Sequence, residues 1–127
     1  MMHHELPVYR SAYAFLLSMF QLCRGFDREY KFTLGENIKK DGLELLQLVY
    51  LACVRADNSA LLPQARERLE MIRLQMRLLM DLKQISLKQF AHLAEQLESV
   101  SRQLNGWQKA MEKKSGKISS DQKKTSI

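Results

Sequence analysis

Apolar residues recur at helical spacing along most of the chain, and turn-forming residues divide it into four segments. The predicted helices span about residues 6–24, 27–56, 61–83 and 86–113. Pro7 and Pro63 fall in first turns, where a missing N–H costs nothing. Asp27 and Ser86 are suitable N-caps, and Gly25 ends the first helix. Because the connections are short, the pattern predicts an all-α, up-down antiparallel four-helix bundle.

The third predicted helix is apolar over most of its circumference. At 100 degrees per residue, five of its charged side chains fall within an arc of about 80 degrees. They are Arg66, Glu70, Arg73, Arg77 and Asp81. The first helix also has few polar positions, whereas a monomeric bundle needs an apolar stripe only somewhat wider than about 100 degrees on each helix. These helices have more apolar positions than one bundle can bury, and a second subunit would cover the rest, so the pattern predicts a homo-oligomer. The alternative is a monomer with scattered apolar surface residues.

The arginines of the third helix allow two interpretations. Arg73 and Arg77 are four residues apart, with Glu70 and Asp81 at salt-bridge spacing, which is typical of an ordinary helix surface. The stripe also contains Arg66 but no lysine, and arginine is favoured over lysine where a planar group must bind phosphate or carboxylate. The residues alone favour the salt-bridge interpretation.

The segment FDREYKFTLGENIKKDG, residues 26–42, mixes aromatic, basic and glycine residues. Gly35 and Gly42 lie about 20 degrees apart on a helix, which indicates close helix approach. Core packing explains the apolar side chains at spacing four: Phe26, Tyr30, Leu34 and Ile38. On one continuous helix, three basic residues fall within about 80 degrees and predict a moderate basic patch: Arg28, Lys31 and Lys39.

The 127 residues suffice for one domain, predicted as a bundle over residues 1–112 with a basic, disordered tail over residues 113–127. The tail has five lysines against Asp121, and so holds +4 of the net charge of +6. Three of these lysines, Lys113, Lys114 and Lys117, are candidate nucleic-acid contacts. The alternative is a solubilising end.

No catalytic, metal or cofactor motif stands out in the chain. Cys23 and Cys53 lie among apolar neighbours, which predicts buried free thiols and a reducing cytoplasm. His3 and His4 are terminal, and His92 falls on a polar helix face without a nucleophile at readable spacing. No signal pattern or membrane span is evident either, so we expect a cytoplasmic protein that is not an enzyme.

Four segments carry a family resemblance: LPVYRSAYAFLLSMF, FDREYKFTLGENIKKDGLELL, ARERLEMIRLQMRLLMDLKQISLKQF and SVSRQLNGWQKAM. Over about residues 6–111 they resemble the small four-helix-bundle family that includes the accessory variability determinant, Avd, of diversity-generating retroelements. The family also includes proteins encoded in intervening sequences of bacterial 23S ribosomal RNA genes. The resemblance is specific, because the REYKFTLGE, RLLMDLKQISLKQF and terminal GW motifs occur in order.

The resemblance implies a pentameric barrel with a basic surface and no cofactor. In the retroelement branch, such a protein is a non-catalytic partner of a reverse transcriptase that binds the enzyme and template RNA, with DNA as a second candidate ligand. The helix-three arginines of the family map onto Arg73 and Arg77, which raises the binding interpretation of this pair. The alternative is an intervening-sequence bundle with a structural or RNA-binding role and no polymerase partner. Genomic context separates these two; an enzyme with an intersubunit site is a third hypothesis.

Overall fold

The computed structural model describes the backbone of residues 6–125 and the side chains of residues 6–114. Its helices are α1 (Pro7–Cys23), α2 (Arg28–Lys31), α3 (Leu34–Val54), α4 (Leu61–Asp81) and α5 (Leu87–Thr125). Four of them are long, α2 is a single turn, and no strand occurs in the described range. The all-α prediction is therefore confirmed.

The four long helices form a bundle in which each contacts two neighbours. α1 packs on α3 and α5, and α4 packs on the same two helices, so the order around the bundle is α1, α3, α4, α5. Neighbours run antiparallel, as the pairing of Tyr9 with Tyr50 and of Phe20 with Lys39 shows for α1 and α3. The core lies along the common axis, where the largest fully buried side chains include Phe15, Met19, Ile38, Leu45, Leu69, Ile72, Leu93 and Leu97.

The second predicted helix is not continuous, and the prediction of one helix over residues 27–56 is wrong. It breaks at Phe32 and Thr33, where Thr33 has φ −116° and ψ −90°. Thr33 Oγ1 instead donates to the Glu29 carbonyl at 2.8 Å. The break brings the buried Phe26 ring against Gly35, where an added Cβ would lie 3.3 Å from Phe26 Cδ2. A β-branched residue two positions before a glycine favours such an interruption, because both have a low helix propensity.

Close helix approach, predicted for both glycines of this segment, is confirmed for Gly42, whereas Gly35 makes room for the preceding segment rather than for another long helix. A Cβ on Gly42 would lie 2.8 Å from Leu16 Cδ1, so this glycine lets α3 approach α1. A Cβ on Gly35 would lie 3.2 Å from the Tyr30 carbonyl oxygen. Phe26 and Ile38 are buried, which confirms their predicted core role, while Tyr30 and Leu34 are half-buried.

The connection between α4 and α5 is a defined turn. Lys83 has φ 62°, its N–H donates to the Met80 carbonyl at 3.0 Å, and the Gln84 N–H donates to the Leu79 carbonyl at 2.9 Å. This is the Schellman pattern, with lysine at the position that usually holds glycine. Ser86 caps α5 as predicted, because Ser86 Oγ accepts from the Gln89 N–H while Gln89 Oε1 accepts from the Ser86 N–H.

Asp27 occupies the N-cap position of α2, but its side chain does not cap that helix. Its carboxylate accepts instead from Gln84 Nε2 at 3.0 Å, and its N–H donates to Gln84 Oε1 at 2.7 Å. The predicted capping role is therefore wrong. Asp27 ties the start of α2 to the turn between α4 and α5.

α5 runs to Thr125, beyond the predicted helix end near residue 113. Its packing against the core extends to Trp107 and Met111. Adding a residue to an existing helix costs little free energy once the helix has nucleated. Lysine and glutamine are also good helix formers. The polar segment after residue 113 can therefore extend α5 although it has no apolar periodicity. The division of the chain at residue 112 stays a prediction. The Lys117 side chain lies outside the described residues, as do His3 and His4.

Candidate nucleic-acid interface and assembly surfaces

The three predicted arginines of α4 line the seam between α4 and α5, each with a polar partner. Arg73 bridges two carboxylates, with Nε 3.4 Å from Glu70 and Nη1 3.2 Å from Glu98 on α5. Arg66 Nη1 donates to Gln108 Oε1 at 2.8 Å. The charge of Arg73 is therefore compensated, and Arg73 helps join α4 to α5.

Arg77 is more exposed than Arg73. Its side chain is 67% exposed, and its Nε lies 3.4 Å from Asp81, one turn further along α4. An exposed pair of this kind contributes little to stability and exchanges readily with other ligands. Arg77 and Arg73 flank an open groove of about 500 Å³ that also contains Phe90 and Leu74. The groove offers guanidinium groups beside apolar surface.

The predicted basic patch of Arg28, Lys31 and Lys39 rested on one continuous helix, which the structure does not have. Arg28 and Lys31 lie on α2, whereas Lys39 lies on α3 with its Nζ 2.8 Å from Glu36 and 5.4 Å from the Phe20 ring centre. The helical-wheel argument that placed the three on one arc is therefore wrong. Lys113 and Lys114 are exposed on α5.

The surplus of apolar side chains predicted for the first and third helices is confirmed, and it forms two surfaces. The first, the α1/α3 face, consists of Tyr13, Leu17, Phe20, Leu43 and Tyr50, which are all exposed. The second, the α4 ridge, consists of Met71, Leu74 and Leu78, with Leu74 66% exposed. Because α1 and α4 sit diagonally in the bundle, the two surfaces face different directions.

A polar network between α3 and α4 was not predicted. Asp41 is only 8% exposed, and its carboxylate accepts from Arg68 Nη1 at 3.2 Å and from Gln75 Nε2 at 2.6 Å. Gln75 Oε1 accepts from Asn37, and Arg68 Nη2 lies 3.2 Å from Glu44. The signal was present, because Arg68 and Gln75 are seven residues apart and interrupt the apolar side of the third helix opposite the arginine stripe.

The cysteines are free in the described part of the chain, as predicted. Cys23 is buried, and burial raises the pKa of its thiol to about 11. Cys53 is only half-buried, with its pKa raised by the same cause. Among the described residues, no three His, Cys, Asp or Glu side chains come together as a metal site. No helix in this part is long and apolar enough to cross a membrane.

The comparisons with known proteins bear on the whole bundle. Curated proteins gave no match to the chain. The model of a family described as bAvd-like matches residues 8–111, which include α1 to α4 and the part of α5 that packs on the core. Because the match covers most of the chain, this protein belongs to the bAvd-like family.

Proposed function

We propose that this protein is a non-catalytic, nucleic-acid-binding accessory subunit of a diversity-generating retroelement. As a homo-oligomer, it binds the reverse transcriptase and the template RNA and so supports mutagenic cDNA synthesis. The observation that carries the proposal is the family membership over residues 8–111. The charge of the chain and its two uncovered apolar surfaces support it.

The arginines of the α4/α5 seam differ in what they offer to a phosphate. Arg77 is exposed and held by one exposed carboxylate, and Arg66 is held by a neutral amide, so both keep charge for a ligand. Arg73 sits between Glu70 and Glu98, which compensate its charge. We therefore assign most of the phosphate contact in this seam to Arg66 and Arg77, and a positioning role to Arg73.

Nucleic-acid binding is tested with a structured RNA at about 50 and 200 mM salt, because backbone binding by several cations weakens steeply over that range. We expect Arg66→Ala with Arg77→Ala to lower affinity and to reduce the slope of log K against log salt by about 1.5. Arg55→Ala, at the exposed end of α3, is the control and should change neither quantity. Unchanged affinity and slope in the double variant would refute the assignment.

The two apolar surfaces support a head-to-tail assembly. One self-complementary patch would give a two-fold dimer, whereas two different patches that meet in neighbouring copies give a closed ring or an open filament. We propose that the α4 ridge of one copy packs on the α1/α3 face of the next. The number of five subunits comes from the family resemblance alone.

A mixing experiment tests this arrangement. Leu17→Glu damages the α1/α3 face and Leu74→Glu damages the α4 ridge, and both positions are exposed in the bundle, so each variant should fold and stay monomeric. A mixture of the two variants keeps one intact surface of each kind and should give a one-to-one dimer by light scattering. A mixture that stays monomeric, or a wild-type protein that is monomeric, would refute the head-to-tail contact.

The polymerase partner is tested separately from RNA binding. We expect the protein to co-purify with a reverse transcriptase encoded beside its gene and to support cDNA synthesis by that enzyme without catalysing it alone. A gene located inside a 23S ribosomal RNA locus, with no neighbouring reverse transcriptase, would overturn this part of the proposal. The RNA-binding part would then rest on the salt experiment.

A further inference from the structure

The seam between α1 and α5 is an open groove in which polar groups stand among a larger apolar surface. Two open concavities of about 300 and 380 Å³ adjoin along it and share His92. Short side chains on α1, including Ser11, Ala14 and Ser18, leave this space, and the α5 side presents residues at intervals of three and four. Each concavity is at the small end of the range for ligand sites, about 300–1,000 Å³. We call the two concavities together the α1/α5 groove.

The groove offers amide, imidazole and carboxylate groups and the ammonium group of Lys88, and none of its charged groups forms an ion pair among the described residues. Gln21, His92 and Glu95 are exposed along it. Gln96 also lines it, and Gln96 Oε1 is buried with no hydrogen-bond partner among the described residues. A buried acceptor without a donor is unfavourable, so Gln96 gains a hydrogen bond if its amide turns to a ligand that donates.

We propose that the α1/α5 groove binds an unpaired nucleobase of the RNA, with adenine preferred. A glutamine amide pairs in bidentate fashion with the adenine amine and the adjacent ring nitrogen. Gln96 provides such an amide in one concavity and Gln21 in the other, where the neighbouring Gln89 amide already accepts from the Ser86 N–H. The imidazole of His92, between them, provides a stacking surface. The Glu95 carboxylate accepts from an exocyclic amine and repels the carbonyl oxygens of uracil and guanine.

The position of α5 connects this groove to the arginines of the proposed function, on which this inference rests. α5 lies between α1 and α4, with the arginine seam on one side and the groove on the other. Phe90 and Glu98 face Arg77 and Arg73, and His92 lies between them in sequence on the side toward α1. A helix is only about 10–12 Å across. One strand that crosses α5 can therefore place phosphate at the arginines and a base at His92.

The test compares fluorescent single strands of about twelve A, C or U residues at one salt concentration. We expect the wild type to bind the A strand about fivefold more tightly than the U strand, at the low end for an amide–adenine pair. His92→Ala combined with Gln21→Ala and Gln96→Ala should abolish this preference and leave the salt dependence unchanged. Gln64→Ala, an exposed glutamine at the start of α4, is the matched control and should keep the preference.

The outcomes separate the two proposals. Binding without base preference, or a preference that survives in the groove variant, would overturn the nucleobase site and leave the phosphate contacts standing. Loss of reverse-transcriptase binding in the groove variant, with the base preference intact, would assign the groove to a protein partner and also overturn the inference. If no strand or structured RNA binds at all, both the groove site and the proposed RNA binding are refuted.

Discussion

Replacing Arg68 by methionine removes the cation that pairs with the buried Asp41 carboxylate. Arg68 Nη1 lies 3.2 Å from Asp41 Oδ1, and Asp41 is 8% exposed. Breaking a fully buried pair by removing one partner costs about 3–5 kcal/mol. The Arg68 side chain is 38% exposed and Gln75 still donates to the carboxylate, so water and this amide replace part of the lost interaction. We expect the free energy of unfolding to fall by about 2 kcal/mol.

A double-mutant cycle isolates the pair. Asp41→Asn removes the charge but keeps the shape, and we expect it to cost about 1 kcal/mol through weaker hydrogen bonds to Arg68 and Gln75. The double variant should cost less than the sum of the single variants by about 1 kcal/mol, because it leaves no buried carboxylate at position 41 without a cation, and the loss of the Arg68–Glu44 pair is the same in both Arg68 variants. Urea unfolding followed by circular dichroism measures all four proteins. One protein concentration is used throughout, because assembly makes stability depend on concentration.

The control for this cycle is Arg55→Met, which removes an arginine at the exposed end of α3 and should change stability by less than about 0.5 kcal/mol. Single-variant costs that add within about 0.3 kcal/mol would show that Asp41 and Arg68 do not interact in solution. That result would refute the claim that this network stabilises the packing of α3 on α4.

Three further predictions concern local features of the bundle. Lys83→Gly should raise the free energy of unfolding by about 1 kcal/mol in urea titrations, because the φ of 62° is strained for any residue with a Cβ. Ser86→Ala should lower it by about 1 kcal/mol through loss of the capping box. The cost of Cys23→Ala should shrink as the pH rises from 9 to 11. The pKa of the thiol is about 9 in the unfolded wild type and about 11 in the folded one, so only the unfolded state loses the proton in this range. The free energy of unfolding of the wild type therefore falls by about 1.4 kcal/mol per pH unit, and that of the variant lacks this contribution. A parallel pH dependence in both proteins would contradict the raised pKa.

The helices could be predicted from the sequence because their periodicity is strong, but the break at Thr33 could not. Phe26, Tyr30, Leu34 and Ile38 keep a spacing of four whether or not the helix is continuous, so periodicity does not report the interruption. The deciding contact is the Phe26 ring on Gly35, which exists only after the chain has folded. The length of α5 was missed for a related reason, because periodicity detects a helix that buries one face and a polar extension buries none.

The candidate site was predictable in part. The sequence placed Arg66, Arg73 and Arg77 in one stripe, and the structure places all three in the α4/α5 seam. The sequence could not reveal that Glu98 on α5 compensates the charge of Arg73, because the axial register of two packed helices depends on their contacts along the full length. The α1/α5 groove was invisible for the same reason, since serine and glutamine on separate helices form a concavity only when the helices are side by side.

The four seams between neighbouring helices differ in the side chains they present, and this difference affects the affinity that we expect for RNA. The α1/α3 face is apolar, the α3/α4 seam is fixed by the network around the buried Asp41, and α5 carries the arginine seam on one side and the α1/α5 groove on the other. If copies join through the α1/α3 face and the α4 ridge, every copy adds one more α5 surface to the same assembly. Binding of one RNA to several linked sites then exceeds the affinity of one site by about 10²–10⁴ when the geometry lets them engage together. Leu17→Glu, which touches no proposed RNA contact, should therefore weaken binding to a long RNA far more than binding to a short strand that spans one subunit.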